Sequence, residues 1–377
     1  MVTRPIVRTV LTASTIALFL TSAGSAQQSL AKPSTGGGTD HKARQARPIS
    51  LGVSGGNSGD TANGYCCSGT LGALVQDNSG NQFILSNTHV FAGDWVSGGN
   101  NKVAAAGDDI NQSGLIDVGC QVIAGDMVAD LSEWAPINAN NNVDAAIAAV
   151  RAGQVKTNGE ILDIGTIAST TAAPFVNQAV KKSGRTTGFT RSKVSSLNAT
   201  ITVGYSDECA GGTYNKTYTG QIVISNRGSR FLAGGDSGSL MVEDVANNPR
   251  AVGLLYAGSS SVAIANPIDQ VLNYFNVTMV GGAGAASGST AEENGPGSAK
   301  GLAAAIAAQR RNERALMSVP GAIGHAVGVG NSPVLQILVR EITPGAQARA
   351  PRQLDGIPVV LEEVGDVRGM PFCSKKK

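Results

Sequence analysis

The stretch AGGDSGSLMV, residues 233–242, sets Ser237 behind an aspartate and two glycines and ahead of a short apolar run. A hydroxyl is a weak nucleophile at neutral pH. Hydrolytic chemistry at Ser237 therefore needs a base, a group that orients the base, and N–H donors for a developing oxyanion. The chain holds 3 histidines, so the search for a base is short. His41 lies in a polar leader and His325 near the C-terminal end. His89, in FILSNTHVFAG, follows an apolar strand-like run and opens a turn, where a rigid side chain can face a cleft. Between His89 and Ser237, Asp144 stands at the mouth of the apolar run in NNVDAAIAAV. A carboxylate beside such a run is costly to bury unless hydrogen-bonded, and orienting an imidazole supplies that bond. Asp130, in MVADLSEW, is the alternative acid. Gly235 and Gly238 flank the serine and permit the sharp backbone turn that would expose its N–H groups.

The order His89, Asp144, Ser237 is one of several chain orders used for the same catalytic geometry. THVFAG, DAAIAAV, SGRTTGFT and GGDSGSL, taken together and in this order, resemble the bacterial trypsin-like serine endopeptidases, nearest to the streptogrisin and alpha-lytic group. The resemblance spans 51–280 and implies an all-β fold of two six-stranded antiparallel barrels (chymotrypsin-like), with the triad in the cleft between them. It implies that the backbone N–H groups of Gly235 and Ser237 form the oxyanion site. It puts Phe231 near the base of the primary pocket and Tyr256, Ala257 and Gly258 along the substrate backbone. It also makes Arg185 the cation that holds the buried carboxylate of Asp236, in place of a newly cleaved amino terminus. Three positions depart from the family pattern: Thr88 stands where alanine is usual, no cysteine follows His89, and Ser239 replaces a common glycine. No carboxylate stands where a preference for basic side chains would need one, so apolar side chains are expected before the scissile bond. Arg230 is the one nearby residue that would favour acidic ones.

The text around these residues must supply a scaffold. The chain has 377 residues, a formal charge of +2 and only 15% charged residues, a balance that argues against nucleic acid as a partner. With 49 glycines and many short β-branched runs it suits strands and tight turns. Residues 1–26 carry a basic flank, an apolar segment and the small residues GSA, the pattern of a signal peptide cleaved near Ala26 for secretion or periplasmic export. Residues 27–50 read as a leader or linker, 51–280 as the peptidase-like domain, and 281–300 as a Gly/Ala/Ser linker. NPIDQVLNYFNV has helical periodicity and would close the main domain. Residues 301–367 read as a small α+β accessory domain, with 368–377 a tail.

Export permits disulfides. Adjacent Cys66 and Cys67 fit poorly as partners of each other, so they are expected to bridge separately to Cys120 and Cys209, which leaves Cys373 odd. DDINQSGLID resembles a calcium loop, but Cys120 stands where the closing glutamate belongs, and it reads as a polar turn. No metal and no cofactor is expected; a protein or peptide substrate is, without stable membrane insertion. Two other functions compete. An α/β-hydrolase esterase would use His325, but it requires G-x-S-x-G and the sequence offers GDSGS. A peptidase-like scaffold that binds without cutting is the other, since a fold does not fix a function.

Overall fold

Short apolar runs punctuated by Gly, Asn and Asp cannot bury a helical stripe, but they can alternate across the faces of a sheet. The computed structural model describes residues 1, 39–62, 64–92, 104–207, 212–228, 230–282, 294–369 and 372–375. The expected signal segment after its first residue, Cys209, and positions 283–293 of the expected linker lie outside the described residues. The described chain is mostly strand. A 10-stranded sheet runs in the order Thr278–Met279, Ala73–Gln76, Gln82–Ser86, Ala146–Val150, Met127–Trp134, Asp109–Asn111, Val53–Asn57, Tyr65–Leu71 and Thr61–Ala62, with Phe372–Lys375 also on Tyr65–Leu71. An 11-stranded sheet runs Ala179–Gly184, Leu240–Glu243, Ala251–Gly258, Val262–Pro267, Gly212–Ser225, Gly188–Asp207, Ala322–Val329, Pro333–Val339, Ile357–Glu363 and Gln353–Leu354, with Arg368–Gly369 off this path.

The all-β class is as expected, and the closure differs between the halves. In the second sheet Ala179–Gly184 pairs with both Leu240–Glu243 and Gly188–Asp207, so its first six strands return on themselves as a barrel. In the first sheet Tyr65–Leu71 and Ala73–Gln76, which lie toward opposite ends of the hydrogen-bonded path, are consecutive in the chain and interrupted only by Gly72, whose N–H continues the second strand's ladder to Leu85 O (3.0 Å). The amphipathic segment folds as the helix Ile268–Phe275, burying Ile268, Val271, Leu272 and Phe275 and ending at Asn276 in the left-handed conformation. That spacing is the apolar stripe of a helix laid on a core.

Residues 301–367 do contain helices (Ala303–Arg311, Glu313–Met317, Pro344–Arg349) and strands. They are not set apart, however. Ala322–Val329 pairs antiparallel with Gly188–Asp207, so the accessory strands extend the second sheet, and their core residues Leu335, Ile337 and Leu316 share one cluster with Val194, Ile224 and Leu255. An unpaired edge of a long strand is a surface that another strand completes. The described part of the leader is likewise packed. Ile49 is buried with its N–H on Gln154 O, and the His41 ring lies between Gly52 O and the Asp163 carboxylate (2.8 Å each).

Two glycines let the halves meet at the serine loop. A Cβ on Gly72 would lie 2.0 Å from Gly238 O, and one on Gly238 would lie 2.3 Å from both Thr70 O and Ser86 Oγ. Gly238 also has φ +91°, a conformation that favours glycine. Backbone therefore packs on backbone immediately after Ser237. Only glycine permits it at these two positions.

Candidate active site

His89 sits in the short helical turn Thr88–Phe91, which follows the strand Gln82–Ser86. The turn is fixed by side chains. Thr88 Oγ1 reaches the carbonyls of Ala135 (2.7 Å) and Ala145 (2.8 Å), which gives the threonine a bonding role that alanine would lack. Asn87 Nδ2 donates to Asp144 O (2.7 Å), and the Asp144 N–H donates to Asn266 Oδ1 (3.0 Å). A residue two before the base and the distant Asn266 thus hold the backbone of the acid.

The His89 Nδ1 lies 2.5 Å from Asp144 Oδ2, and both residues are buried, at 5% and 0% exposure. A carboxylate so enclosed needs donors. Tyr205 supplies one: its hydroxyl donates to Asp144 Oδ2 at 2.9 Å, and the Tyr218 hydroxyl lies 2.8 Å from that of Tyr205. Burial, followed by the Asp144 charge, raises the Tyr205 hydroxyl well above its ordinary range, so it remains a neutral donor. Tyr218 is raised for the same two reasons. The Tyr205 ring also packs 5.8 Å from the His89 ring, centroid to centroid. With Nδ1–H given to Asp144, Nε2 of His89 is the acceptor side of the ring, and it has no hydrogen-bond partner among the described residues.

Ser237 is fully buried, and its Oγ donates to Tyr256 O at 3.1 Å. A Cβ on Gly69 would touch both the Val90 side chain, next in sequence to His89, and Ser237 O. The serine hydroxyl rests on Tyr256 O, and among the described residues no hydrogen bond joins it to His89, whose Nε2 has no partner there. Thr70 organises the loop, its N–H donating to Ser237 O (2.8 Å) and its hydroxyl to Gly235 O (2.9 Å). Ser239 Oγ donates to Asp236 O (2.6 Å), a bond that glycine at this position could not make. Gly235 has φ +93°, and the N–H groups of Gly235 and Ser237 have no partner among the described residues.

The cation for Asp236 is not the expected one. Its carboxylate accepts from the N–H groups of Thr186 (2.8 Å), Thr187 (3.1 Å) and Ala233 (2.9 Å) and from Thr187 Oγ1 (2.8 Å). The charge facing it is Lys182 Nζ at 3.4 Å, and both side chains are fully buried. Arg185 instead grips Asp117 with two bonds, Nε to Oδ2 (2.7 Å) and Nη2 to Oδ1 (2.6 Å). The planar guanidinium fork matches a carboxylate approached from outside the turn. The single Nζ of Lys182, on the strand before that turn, reaches the narrower space behind it.

The remaining predicted positions divide. Tyr256, Ala257 and Gly258 lie on the strand Ala251–Gly258 beside the serine, and all three are buried. The Tyr256 hydroxyl has no hydrogen-bond partner, and burial raises it well above its ordinary range. Phe231 is packed into the apolar cluster with Val180, Met241 and Leu255. Asp130, the alternative acid, is taken by Arg151 on the surface. His325 meets Gln309 Nε2 through Nδ1 (2.7 Å) and lies 3.7 Å from Glu313, and no hydrogen bond joins it to Ser237 among the described residues. Two acidic residues of the calcium-like turn are engaged by arginines, Asp109 by Arg151 and Asp117 by Arg185, while Asp108 accepts from Asn57 Nδ2 (3.1 Å) and the Ala105 N–H (3.0 Å). Cys66 bridges Cys120, as one of the expected pairings had it. Cys67 bridges Cys373 instead of Cys209, so Cys373 is not the odd thiol. The C-terminal strand pairs with Tyr65–Leu71 in a register that sets Cys373 directly opposite Cys67, and directly opposed residues on paired strands share a face.

Sequence reasoning missed Tyr205, Tyr218, Lys182, Thr70 and Asn266. Their only signal was a polar residue inside an apolar strand run, as in KKSG and ITVGY.

The family model described as the Nal1 C-terminal domain matches residues 132–266. No curated protein matches the chain. Among solved structures, it is similar to a glutamic acid specific serine protease that uses a histidine triad in substrate binding, at 20% identity and a TM-score of 0.42, covering 61% of this chain and 100% of that one. It is also similar to Nocardiopsis protease (15%, TM-score 0.39, 61% and 98% covered) and to Thermobifida fusca protease A (17%, 0.36, 59% and 97%).

Proposed function

We propose that the protein is a serine endopeptidase acting through His89, Asp144 and Ser237. The observation that carries this reading is the buried His89–Asp144 pair with its Nε2 unpartnered, beside a serine in a glycine-built turn. Asp144 and the Tyr205 hydroxyl hold the ring in the tautomer with the proton on Nδ1. Rotation of Ser237 Oγ from Tyr256 O towards Nε2 lets His89 accept the proton as the oxygen attacks a peptide carbonyl. The negative charge that develops is met by the N–H groups of Gly235 and Ser237, donors worth about 2.7–4 kcal/mol each in transition-state stabilisation. The imidazolium returns its proton to the leaving amine, and water then repeats the cycle on the acyl-enzyme. Substrates are protein or peptide chains, with apolar side chains expected before the scissile bond.

Export supports this reading. Disulfides persist in oxidising compartments, and the described Cys66–Cys120 and Cys67–Cys373 bridges agree with a signal-bearing chain that leaves the cytosol. The test is prolonged exposure of the full-length protein to a serine-reactive phosphonate, with the modified residue identified by mass spectrometry. Adduct at Ser237, absent in Ser237→Ala and nearly absent in His89→Ala, is the expected result. A folded protein with no adduct at Ser237 would leave the non-catalytic binding scaffold as the better account.

A further inference from the structure

We propose that the groove beside Ser237 binds an extended peptide strand, and that its occupant in the folded chain is the protein's own C-terminal segment, latched by the Cys67–Cys373 disulfide. The strand Arg368–Gly369 pairs antiparallel with the serine-side strand, Gly369 opposite Ala257 and Arg368 opposite Gly258. On its other edge Arg368 pairs with Gly204, and the Gly204 N–H donates to Val367 O at 3.0 Å. Further on, Phe372–Lys375 pairs antiparallel with Tyr65–Leu71, Phe372 opposite Ser68 and Cys373 opposite Cys67.

These two pairings bracket the serine. Ser237 Oγ bonds to the carbonyl of Tyr256, the neighbour of Ala257, and Ser237 O accepts from Thr70, two residues beyond Ser68. Gly369 and Phe372 are three positions apart in the chain, a reach of about 10 Å when extended. The two described pieces of the segment are therefore paired with strands that each carry a contact to Ser237, an edge pairing of the kind a peptide substrate makes. The third observation is the fit to the aromatic wall. A Cβ on Gly369 would stand 2.6 Å from Tyr205 Cδ1 and Cε1, so glycine is the residue that lets the backbone lie on the ring whose hydroxyl holds Asp144. Ser237, at 0% exposure, and His89, at 5%, are covered in this state.

The chemistry recognised is main-chain amide and carbonyl along a strand edge, which accepts an extended peptide of varied sequence. A substrate can enter only when the segment leaves. A segment tethered next to its site has an effective concentration of about 1 mM. If the free segment binds at about 0.1 mM, the groove is filled roughly nine-tenths of the time, and releasing it should accelerate reaction at Ser237 about tenfold. Thiol reduction of the Cys67–Cys373 disulfide removes one of the segment's two tethers, its own backbone at Val367 being the other, and so favours opening.

The test needs two variants and two readouts in the full-length chain. Gly369→Val displaces the strand by the clash with Tyr205, and Cys67→Ser/Cys373→Ser removes the latch. Amide exchange at residues 256–259, measured in a Ser237→Ala background, reports groove occupancy without any catalysis. Phosphonate labelling of Ser237, which alone depends on the endopeptidase reading, reports access. Loss of exchange protection in both variants, with labelling about tenfold faster than in the unmodified tail, is expected. Loss of protection with no labelling in any chain would uphold the strand assignment and defeat the endopeptidase reading. Unchanged protection and unchanged labelling in both variants would overturn the proposal. Should one variant fail to fold, the other and the reduced wild type give the same comparison.

Discussion

Lys182→Met isolates the carboxylate next to the serine. Lys182 Nζ uses its three donors on Thr187 Oγ1, Gly188 O (3.0 Å) and Asp236 Oδ1 (3.4 Å), so a charged ammonium is accommodated although burial pulls its pKa down, with Asp236 opposing that pull. Methionine keeps the bulk and removes the charge. Removing one partner of a buried pair costs about 3–5 kcal/mol. Asp236 retains four donors, from Thr186, Ala233 and twice from Thr187, so the lower end applies, about 3 kcal/mol. Urea unfolding followed by fluorescence should show this as a lower midpoint with an unchanged slope. Phosphonate labelling of Ser237 should fall with it, because Asp236 shapes the turn that aims the neighbouring N–H. Lys182→Met/Asp236→Asn removes both charges and should recover much of the loss, giving a coupling of about 1–3 kcal/mol in a double-mutant cycle. Arg185→Met paired with Asp236→Asn should be close to additive. A wild-type midpoint in Lys182→Met, or a larger coupling for Arg185 than for Lys182, would refute the reasoning.

Further outcomes follow from single contacts. Tyr205→Phe removes a hydrogen bond to a buried charge, worth about 1.5–3 kcal/mol, and should lower kcat on a peptide substrate about tenfold or more while KM moves little. Gly238→Ala forces a left-handed backbone, costing at least about 1–2 kcal/mol, and drives a Cβ into Thr70 O, so its melting temperature and soluble yield should both fall. Lys216, whose Nζ lies 4.9 Å from the Tyr218 ring, is pushed down by burial to about 8, against the opposing pull of Asp144. Its side-chain NMR signal should titrate near pH 8. Because the unfolded chain holds that proton up to its higher ordinary pKa, Lys216 costs stability below pH 8, and this cost fades as pH rises beyond 8. Lys216→Met should therefore gain most over wild type at neutral pH, as read from midpoints across a pH series.

The sequence alone determined the class of scaffold and pointed to the residues proposed to bear the chemistry. His89, Asp144 and Ser237 were legible because 3 histidines and one GDSG turn leave few combinations, and because an acid beside an apolar run needs a bonded role. The helix Ile268–Phe275 was legible from its periodicity, and the many strands from short β-branched runs. Tertiary structure decided everything that depends on which distant segments lie side by side. The cation at Asp236 is Lys182 because the strand before the SGRTTGF turn faces inward at that position, and no local pattern separates it from Arg185 three positions on. The accessory strands extend the second sheet because the long strand Gly188–Asp207 offers an edge, a property of pairing and not of composition. Cys373 finds Cys67 across 306 positions of sequence, since a disulfide requires only that two Cβ atoms approach, and strand pairing brings them together. The hydroxyl of Tyr205 reaches Asp144, and that of Tyr218 reaches Tyr205, from strands that pair 60 and more residues further along the chain, where alternation says which face a side chain takes but not what waits there.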